Sequence, residues 1–320
     1  MLFLLAGGIV LYLLSPQIVD VLASAPRLES VRWVWLAAMF GLEVGSFVAA
    51  WQLARIAVPG LSWFSASTSQ LAANAVSRSV PGGAMVGSAA YYRLLERAGT
   101  KPAEAAAALT ANSLVSNLVL FALPAAGAIG AAVTSVVPPG LLPVALGGIV
   151  LFAMTFGLGA AFVVFDRPLL LLGRLIARVR TLFTRRHLPF DPRPLLRTRD
   201  DIVVSIGRRW PWALGSATAN WLLDYLVLFV ALYAVGAEPR LSLVLLAYGG
   251  AAVLGMIPIT PGGLGFVEAG LTATLTVAGV PAGDALLATL AYRIMSFWLP
   301  LPAGLAAYLL HRRRYGGPSG

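Results

Sequence analysis

The sequence predicts an all-α polytopic membrane protein made of two inverted-topology repeats, each with a re-entrant helical hairpin broken at a Pro-Gly-Gly motif. The chain is 59% hydrophobic and only 11% charged, and apolar runs of about 20 residues, the length of a membrane-spanning helix, recur along it. A membrane β-barrel would instead alternate in polarity over segments of about ten residues. We expect one transmembrane domain over 1–320, divided into repeat 1 at about 31–165, a basic linker at about 166–205 and repeat 2 at about 206–310.

Prolines and polar residues separate the apolar segments. Residues 1–25 are predicted to form a first transmembrane helix rather than a cleaved signal peptide, because no basic residue precedes the apolar run. Polar side chains interrupt residues 62–80, just before the first Pro-Gly-Gly motif. The other predicted spans are 31–57, 104–133, 141–165, 206–235, 241–258 and 284–310.

The net charge of +10 is concentrated in two places. Eleven arginines and four aspartates lie between Asp166 and Arg209, and a basic run lies at 311–314. Such clusters mark the cytoplasmic side, so we expect a multi-pass protein of the plasma or inner membrane with its linker and C-terminus in the cytoplasm. Interleaved apolar and basic residues at 169–186 predict an interfacial helix that contacts anionic head groups. Nucleic acid is not an expected partner.

The sequence contains no cysteine and two histidines, His187 and His311. Each histidine lies among arginines, without the spacing to other ligands that a zinc site requires. We therefore expect both to be interfacial bases, and we expect no metal and no cofactor.

A shift of 180 residues superimposes parts of the chain on one another. The Pro-Gly-Gly at 81–83 falls on the one at 261–263, and at a shift of 181 Glu43 falls on Asp224. The positive-inside rule places the two copies in opposite orientations. Many secondary transporters have this arrangement, in which broken helices of the two repeats meet near the membrane midplane and bind the substrate.

Each Pro-Gly-Gly motif interrupts a stretch that could otherwise continue as a helix. A turn at membrane depth frees backbone N–H and C=O groups that lipid cannot satisfy, so the motif predicts a cavity inside the protein. The half-helix after the turn would direct its free N–H groups at that cavity, which suits a phosphate or a carboxylate. A simple kink or an external loop is the alternative. The residues expected to shape the site are Pro81, Gly82, Gly83, Pro261, Gly262, Gly263 and Gly265.

Ionisable residues inside predicted spans are further functional candidates, because each costs about 2.5–3.5 kcal/mol to insert. They are Glu43, Arg78, Asp224, Glu268 and Arg293. Arg78 or Arg293 could bind a lipid phosphate through charge-assisted hydrogen bonds. The alternative for Arg293 is an internal ion pair with Glu268 or Asp224. We expect Arg78, Glu268 and Arg293 to contact the head group or to position the groups that do.

Glu43 and Asp224 occupy repeat-related positions and are expected to flank the cavity. Burial disfavours a charged carboxylate, so one of the two could carry a proton through a transport cycle. The alternative is a carboxylate that a neighbouring hydroxyl or amide, such as Asn220, satisfies. A polar stripe on one helix face adds Asn117 to the head-group candidates. The stripe is Ser113, Ser116 and Asn117, with Arg293 and Ser296 at equivalent positions 180 residues later.

The stretches IPITPGGLGFVE at 257–268 and AYRIMSFWLPLPAG at 291–304 resemble the transmembrane region of the lysylphosphatidylglycerol synthase/flippase family. The stretch SVPGGAMVGSAAYYRLLERAG at 79–99 resembles the family's other Pro-Gly-Gly segment, and the resemblance covers roughly 30–310. It implies a flippase that moves an aminoacyl-phospholipid, another modified phospholipid or a glycolipid between membrane leaflets. Membrane lipids with anionic or modified head groups would be its partners.

In two-domain members of that family, a soluble C-terminal domain makes the aminoacyl lipid from aminoacyl-tRNA. This chain ends at Gly320 without such a domain, so we expect no synthase activity and no enzyme. Ser88 stands where the second half has Glu268, so the two hairpins are not chemically equivalent.

Two other classes of function stay open. An integral-membrane transferase that acts on a lipid-linked substrate would use Glu268 or Asp224 as a general base. A scaffold would use the basic linker to recruit a separately encoded synthase or glycosyltransferase. A homo-oligomer and a separate lipid-modifying enzyme are therefore partner classes to test.

Overall fold

The computed structural model describes residues 32–80, 82–134, 137–168, 170–171, 173–174, 196, 199–200, 207, 209–257 and 260–316. The predicted helix at 1–25, Pro81 and most of the basic linker, including most of its predicted interfacial helix, lie outside the described residues. Every regular element in the described part is helical.

The helices follow the order that the apolar runs predict. They are α1 Trp33–Ala57, α2 Trp63–Ser79, α3 Gly83–Arg97, α4 Pro102–Thr134, α5 Leu142–Val164, α6 Trp210–Ala234, α7 Leu241–Leu254, α8 Phe266–Val277, α9 Ala282–Arg293 and α10 Pro300–Tyr315. A π-helical turn, Ile294–Trp298, joins α9 to α10. Five helical segments of the described chain are long and apolar enough to cross a membrane: α1, α4, Pro139–Phe162, α6 and Ala282–Tyr315. The predicted class, an all-α polytopic membrane protein, is confirmed.

The two 25-residue helices α1 and α6 pack against each other in opposite directions. Ser46 bonds to Asn220, whereas Leu53, further along α1, shares an apolar cluster with Ala213, earlier on α6. Asn220 Nδ2 donates to the backbone oxygen of Ser46 at 3.0 Å, and Ser46 Oγ donates to that of Asn220 at 3.0 Å. Such bonds stabilise a helix pair in lipid, where apolar surfaces gain little from mutual contact.

The first arm of each hairpin packs against the long helix of the other half of the chain, α2 against α10 and α7 against α4. Small residues allow this close approach. A Cβ on Gly304 would lie 2.5 Å from the backbone oxygen of Leu71, and one on Gly127 would lie 2.6 Å from the backbone nitrogen of Leu246. The two halves are therefore interleaved.

His311 is fully buried, so the prediction of an interfacial base is wrong for this residue. Its Nδ1 lies 2.8 Å from Thr68 Oγ1 on α2, and its Nε2 lies 3.1 Å from the backbone oxygen of Leu94 on α3. The reason is that α10 packs along the first hairpin as far as the last turn of α10, and the hairpin covers the imidazole of His311. His187 lies outside the described residues.

Left-handed glycines recur at the spacing of the predicted repeat. Gly82 and Gly262, 180 residues apart, have φ of +66° and +57°, and Gly99 and Gly279 have φ of +92° and +97°. Glycine is the residue that adopts this conformation at little cost. An inverted duplication would produce such turns and an antiparallel α1–α6 pair. The division into repeats and the orientation of each half in a membrane stay predictions.

Gly304→Ala tests the contact between α2 and α10. The added methyl group would overlap the Leu71 carbonyl, so we expect the free energy of unfolding to fall by about 1–3 kcal/mol. Gly157→Ala on α5 is the control, because nothing lies within 4 Å of its Cβ position. Thermal unfolding in detergent measures both variants, and equal midpoints would contradict this packing.

Candidate functional site

The second hairpin is broken where the sequence predicts. α7 ends at Leu254, and the backbone has positive φ at Gly262, Gly263 and Gly265 before α8 begins at Phe266. The interruption of the helix is confirmed, whereas the re-entry of the hairpin into the membrane stays a prediction.

The first hairpin turns more tightly. α2 ends at Ser79 and α3 begins at Gly83, with Gly82 in the left-handed conformation. A Cβ on Gly83 would lie 1.8 Å from the backbone oxygen of Ser77, so a larger residue would force the two arms apart. Pro81, predicted to shape this turn, lies outside the described residues.

The turn of the second hairpin lies directly on the ring of Phe297, which is 2% exposed. A Cβ on Gly262 would lie 2.3 Å from Phe297 Cε2, and one on Gly263 would lie 2.6 Å from Val267 Cγ2. Pro261 is buried at the start of the same turn. Glycine is therefore required at 262 both for its positive φ and for its lack of a side chain.

Two arginines from opposite halves of the chain meet on Phe297. Arg293 Cζ lies 4.3 Å from the ring centroid, and Arg78 Cζ lies 5.5 Å from it. The face of an aromatic ring attracts a guanidinium by about 0.5–2 kcal/mol. We call Arg78, Glu268, Arg293 and Phe297 the arginine cluster.

Arg293 is satisfied by groups of its own half. Its Nε donates to Glu268 Oε1 at 2.6 Å, and its Nη2 donates to the backbone oxygen of Gly262 at 3.3 Å. The side chains of the ion pair are only 9% and 13% exposed. Glu268 lies in the first turn of α8, where the helix dipole favours a negative charge. Of the alternatives for Arg293, the structure shows the internal pair with Glu268, and the anion at this helix end is the chain's own carboxylate.

Arg78 is bonded to backbone oxygens of the other half. Pro300 has no N–H, so the carbonyl of Ser296 lacks the donor that a helix normally provides four residues later. Arg78 Nη1 donates to that oxygen and, at 3.3 Å, to the oxygen of Phe297. Within the part of the chain that the structure describes, no carboxylate lies within salt-bridge distance of Arg78. The direct hydrogen-bond partners of its guanidinium are therefore neutral carbonyl groups.

Asp224 accepts two tyrosine hydroxyls. Tyr292 Oη donates to Asp224 Oδ2 at 2.7 Å, and Tyr248 Oη donates to the same oxygen. Of the alternatives for Asp224, the structure shows a carboxylate that neighbouring hydroxyls satisfy. Asn220 is the wrong example, because its amide binds Ser46 across the α1–α6 pair. Sequence reasoning missed both tyrosines, although a tyrosine hydroxyl in an apolar helix signals a nearby acceptor.

Glu43, on α1, is the second buried acid of this region. It is 4% exposed, and its Oε2 is buried with no hydrogen-bond partner among the described residues. The hydrogen bonds between Ser46 and Asn220 lie one turn from Glu43 on α1 and one turn from Asp224 on α6. The two acids therefore lie together where α1 crosses α6.

The polar stripe of α4 contacts α6. Trp221 Nε1 donates to the backbone oxygen of Ser116 at 3.0 Å and to its Oγ at 3.1 Å. Ser113 is exposed and Asn117 is half-buried. In the described ranges, no group of three or more His, Cys, Asp or Glu side chains is arranged to bind a metal ion.

These features define a class: a polytopic all-α membrane protein in which two broken hairpins lie beside buried charges. The family described as the lysylphosphatidylglycerol synthase TM region matches residues 2–304. The chain belongs to this family, which confirms the resemblance seen in its motifs.

Parts of the chain are also similar to UPF0104 membrane proteins of Methanothermobacter thermautotrophicus. Identity is 32% over 87 residues, 29% over 120 and 33% over 85. These stretches are 27%, 37% and 27% of this chain. They span only 26%, 34% and 25% of the relatives' own lengths.

Glu268→Gln is expected to destabilise the fold more than removal of both charges does. The single variant leaves the buried guanidinium of Arg293 without its carboxylate, for which losses of about 3–5 kcal/mol are typical. The double variant with Arg293→Gln has no unpaired charge, so its thermal midpoint should recover part of the loss. Additive losses would contradict the pair. Glu104→Gln is the control, because its pair with Lys101 is 55% and 80% exposed and its loss should leave the midpoint unchanged.

Gly262→Ala tests the contact between the turn and Phe297. Gly82→Ala is the matched control, because φ there is +66°, close to the +57° at Gly262, and nothing lies within 4 Å of the new Cβ. We expect Gly262→Ala to cost about 1–3 kcal/mol more, measured by thermal unfolding, since the ring must move. Equal losses in the two variants would mean that backbone strain alone requires the glycine.

Proposed function

We propose that the chain is a lipid flippase that moves a phospholipid with a modified, aminoacylated head group, or a glycolipid, between the leaflets of the plasma or inner membrane. The single observation that carries the proposal is the state of Arg78, a guanidinium inside the helical bundle that is bonded to neutral carbonyls and has no carboxylate partner in the described residues. The linker and the C-terminus are proposed to face the cytoplasm.

The contrast with Arg293 supports this choice. An ionisable side chain in a membrane costs about 2.5–3.5 kcal/mol and therefore favours a functional role. Arg293 has a carboxylate partner, because it forms an ion pair with Glu268. Arg78 is also less buried than Arg293. A guanidinium binds phosphate through two parallel hydrogen bonds, which fits the chemistry shared by phospholipid and lipid-linked sugar head groups.

The position of Arg78 supports movement as well as binding. It belongs to the first half of the chain, and its acceptors, the backbone oxygens of Ser296 and Phe297, belong to the second. Exchange of these neutral acceptors for a phosphate leaves no buried charge unpaired, unlike exchange of an ion pair. Rocking of one half against the other would then expose the bound head group to alternate sides.

The family description names lysylphosphatidylglycerol, an aminoacylated phospholipid, which supports membrane lipids as the partners of this chain. The contacts of Glu268 and Asp224, the candidate general bases, disfavour a transferase. Glu268 Oε1 is paired with Arg293, and Asp224 Oδ2 accepts Tyr248 and Tyr292, so one oxygen of each acid is already engaged. We therefore propose transport without chemistry, and a separate lipid-modifying enzyme would supply the modified lipid.

Arg78→Gln is expected to slow leaflet exchange of labelled phosphatidylglycerol in proteoliposomes by about tenfold or more. The reason is the loss of a charge-assisted bond to phosphate, worth about 1.5–3 kcal/mol. Arg93→Gln is the control, because it removes the same charge at an exposed position on α3 and should exchange lipid like the wild type.

Equal rates for Arg78→Gln and the wild type would exclude Arg78 from the route. A folded wild type that accelerates no lipid, whether phosphatidylglycerol, its lysyl ester or a glycolipid, would overturn the flippase proposal. Mass spectrometry of the same vesicles detects a new lipid species, which would establish the transferase instead.

A further inference from the structure

A second polar cluster, which we call the acidic group, combines side chains from four helices. Glu43 comes from α1, Asp224 from α6, Tyr248 from α7 and Tyr292 from α9. None of these groups contributes to the proposed phosphate contact, so the flippase proposal leaves them without a role.

The hydrogen bonds of the group fix where a proton must lie. Tyr248 and Tyr292 both donate to one oxygen of Asp224, so that oxygen acts only as an acceptor. The hydrogen bonds between Ser46 and Asn220 place Glu43 beside Asp224 across the α1–α6 pair. Two carboxyl groups can bond to each other only when one of them is protonated. When the two acids share a proton, the proton therefore lies on Glu43.

The second oxygen of Glu43 supports the same assignment. Oε2 is buried and has no partner in the described residues, and the whole side chain is 4% exposed. An ionised carboxylate with an unsatisfied oxygen is far more costly to bury than a neutral carboxylic acid. The site is thus built for a carboxyl group that accepts and releases a proton.

Arg78 connects this group to the proposed lipid site. The π-helical turn whose backbone oxygens accept from Arg78 also packs against α1 and α6, the helices of Glu43 and Asp224. The other cation near Arg78 is Arg293, which Glu268 neutralises. A lipid phosphate on Arg78 would cancel the positive charge that favours ionisation of the acids, so the acids would bind a proton more tightly. Because coupling is reciprocal, the proton would also strengthen phosphate binding.

We propose that Glu43 and Asp224 form a proton-binding site whose occupation is coupled to the binding of a lipid phosphate at Arg78. The proton site stands on the contacts of the acids and tyrosines, whereas the coupling rests on the proposed function. Phosphate and proton would bind together and leave together, so an inward proton gradient would drive the head group in the same direction.

Infrared spectroscopy tests the proton site by itself. The wild type in phosphatidylglycerol nanodiscs should show the C=O stretch of a buried, protonated carboxylic acid near neutral pH, and Glu43→Gln should lose that band. Glutamine has nearly the shape of protonated glutamate and can donate to Asp224, so the variant is expected to fold. Persistence of the band in Glu43→Gln, or its absence from the wild type at every pH, would overturn the proton site.

Leaflet exchange of phosphatidylglycerol tests the coupling. The wild-type rate should rise as the pH falls, by at most about tenfold per pH unit for one linked proton, and should follow an imposed proton gradient. Glu43→Gln should show no pH dependence, whereas Glu104→Gln, changed at an exposed position, should keep it. Exchange that is independent of pH in the wild type, or that follows a sodium gradient at constant pH, would overturn the coupling and leave the flippase proposal intact.

A wild type that exchanges no lipid would refute the flippase proposal without touching the proton site. Proton uptake on addition of short-chain phosphatidylglycerol to the detergent-solubilised protein then decides the coupling. Proton uptake that the wild type shows and that both Glu43→Gln and Arg78→Gln lack would support the coupling. Equal proton uptake by all three proteins would contradict the coupling.

Discussion

The central constraint on this protein is that a bilayer provides no water to satisfy a freed backbone group or a buried charge. The helix Ala282–Tyr315 contains Pro300, which deprives the carbonyl of Ser296 of its donor. Arg78 satisfies that carbonyl, and the carbonyl in turn stabilises the guanidinium. The unsatisfied carbonyl and the buried charge thus compensate each other. The carbonyl lies in a π-helical turn, and such turns often occur at functional sites.

The same compensation joins the two halves of the chain. Arg78 belongs to one half and its backbone acceptors to the other, and the reciprocal bonds between Ser46 and Asn220 join α1 to α6 in the same way. In both contacts the acceptors are uncharged oxygens, and no ion pair is involved. The ion pair of Arg293 with Glu268, in contrast, lies within one half and fixes the second hairpin. The ion pair Arg293–Glu268 therefore lies inside one half, whereas the bonds of Arg78 to carbonyl oxygens cross between the halves.

Much of the fold could be predicted from the sequence, because membrane spans depend on local composition and length. The same holds for the buried charges, since the cost of inserting Glu43, Arg78 or Asp224 is visible without a structure. Their partners could not be predicted. Spacing shows which residues share a helix face but not which helix crosses it, so Asn220 looked like the partner of Asp224 while the tyrosines lay on α7 and α9. His311 was missed for the same reason, because its burial depends on the packing of α10 against the first hairpin.

The most direct test of the central claim is an experimental structure of the chain in nanodiscs that contain phosphatidylglycerol. The account predicts a lipid phosphate about 3 Å from the guanidinium of Arg78, beside the turn at Gly262, with the backbone oxygens of Ser296 and Phe297 released. Lipids found only on the outer apolar surface, with Arg78 bonded to those two oxygens in every state, would contradict it.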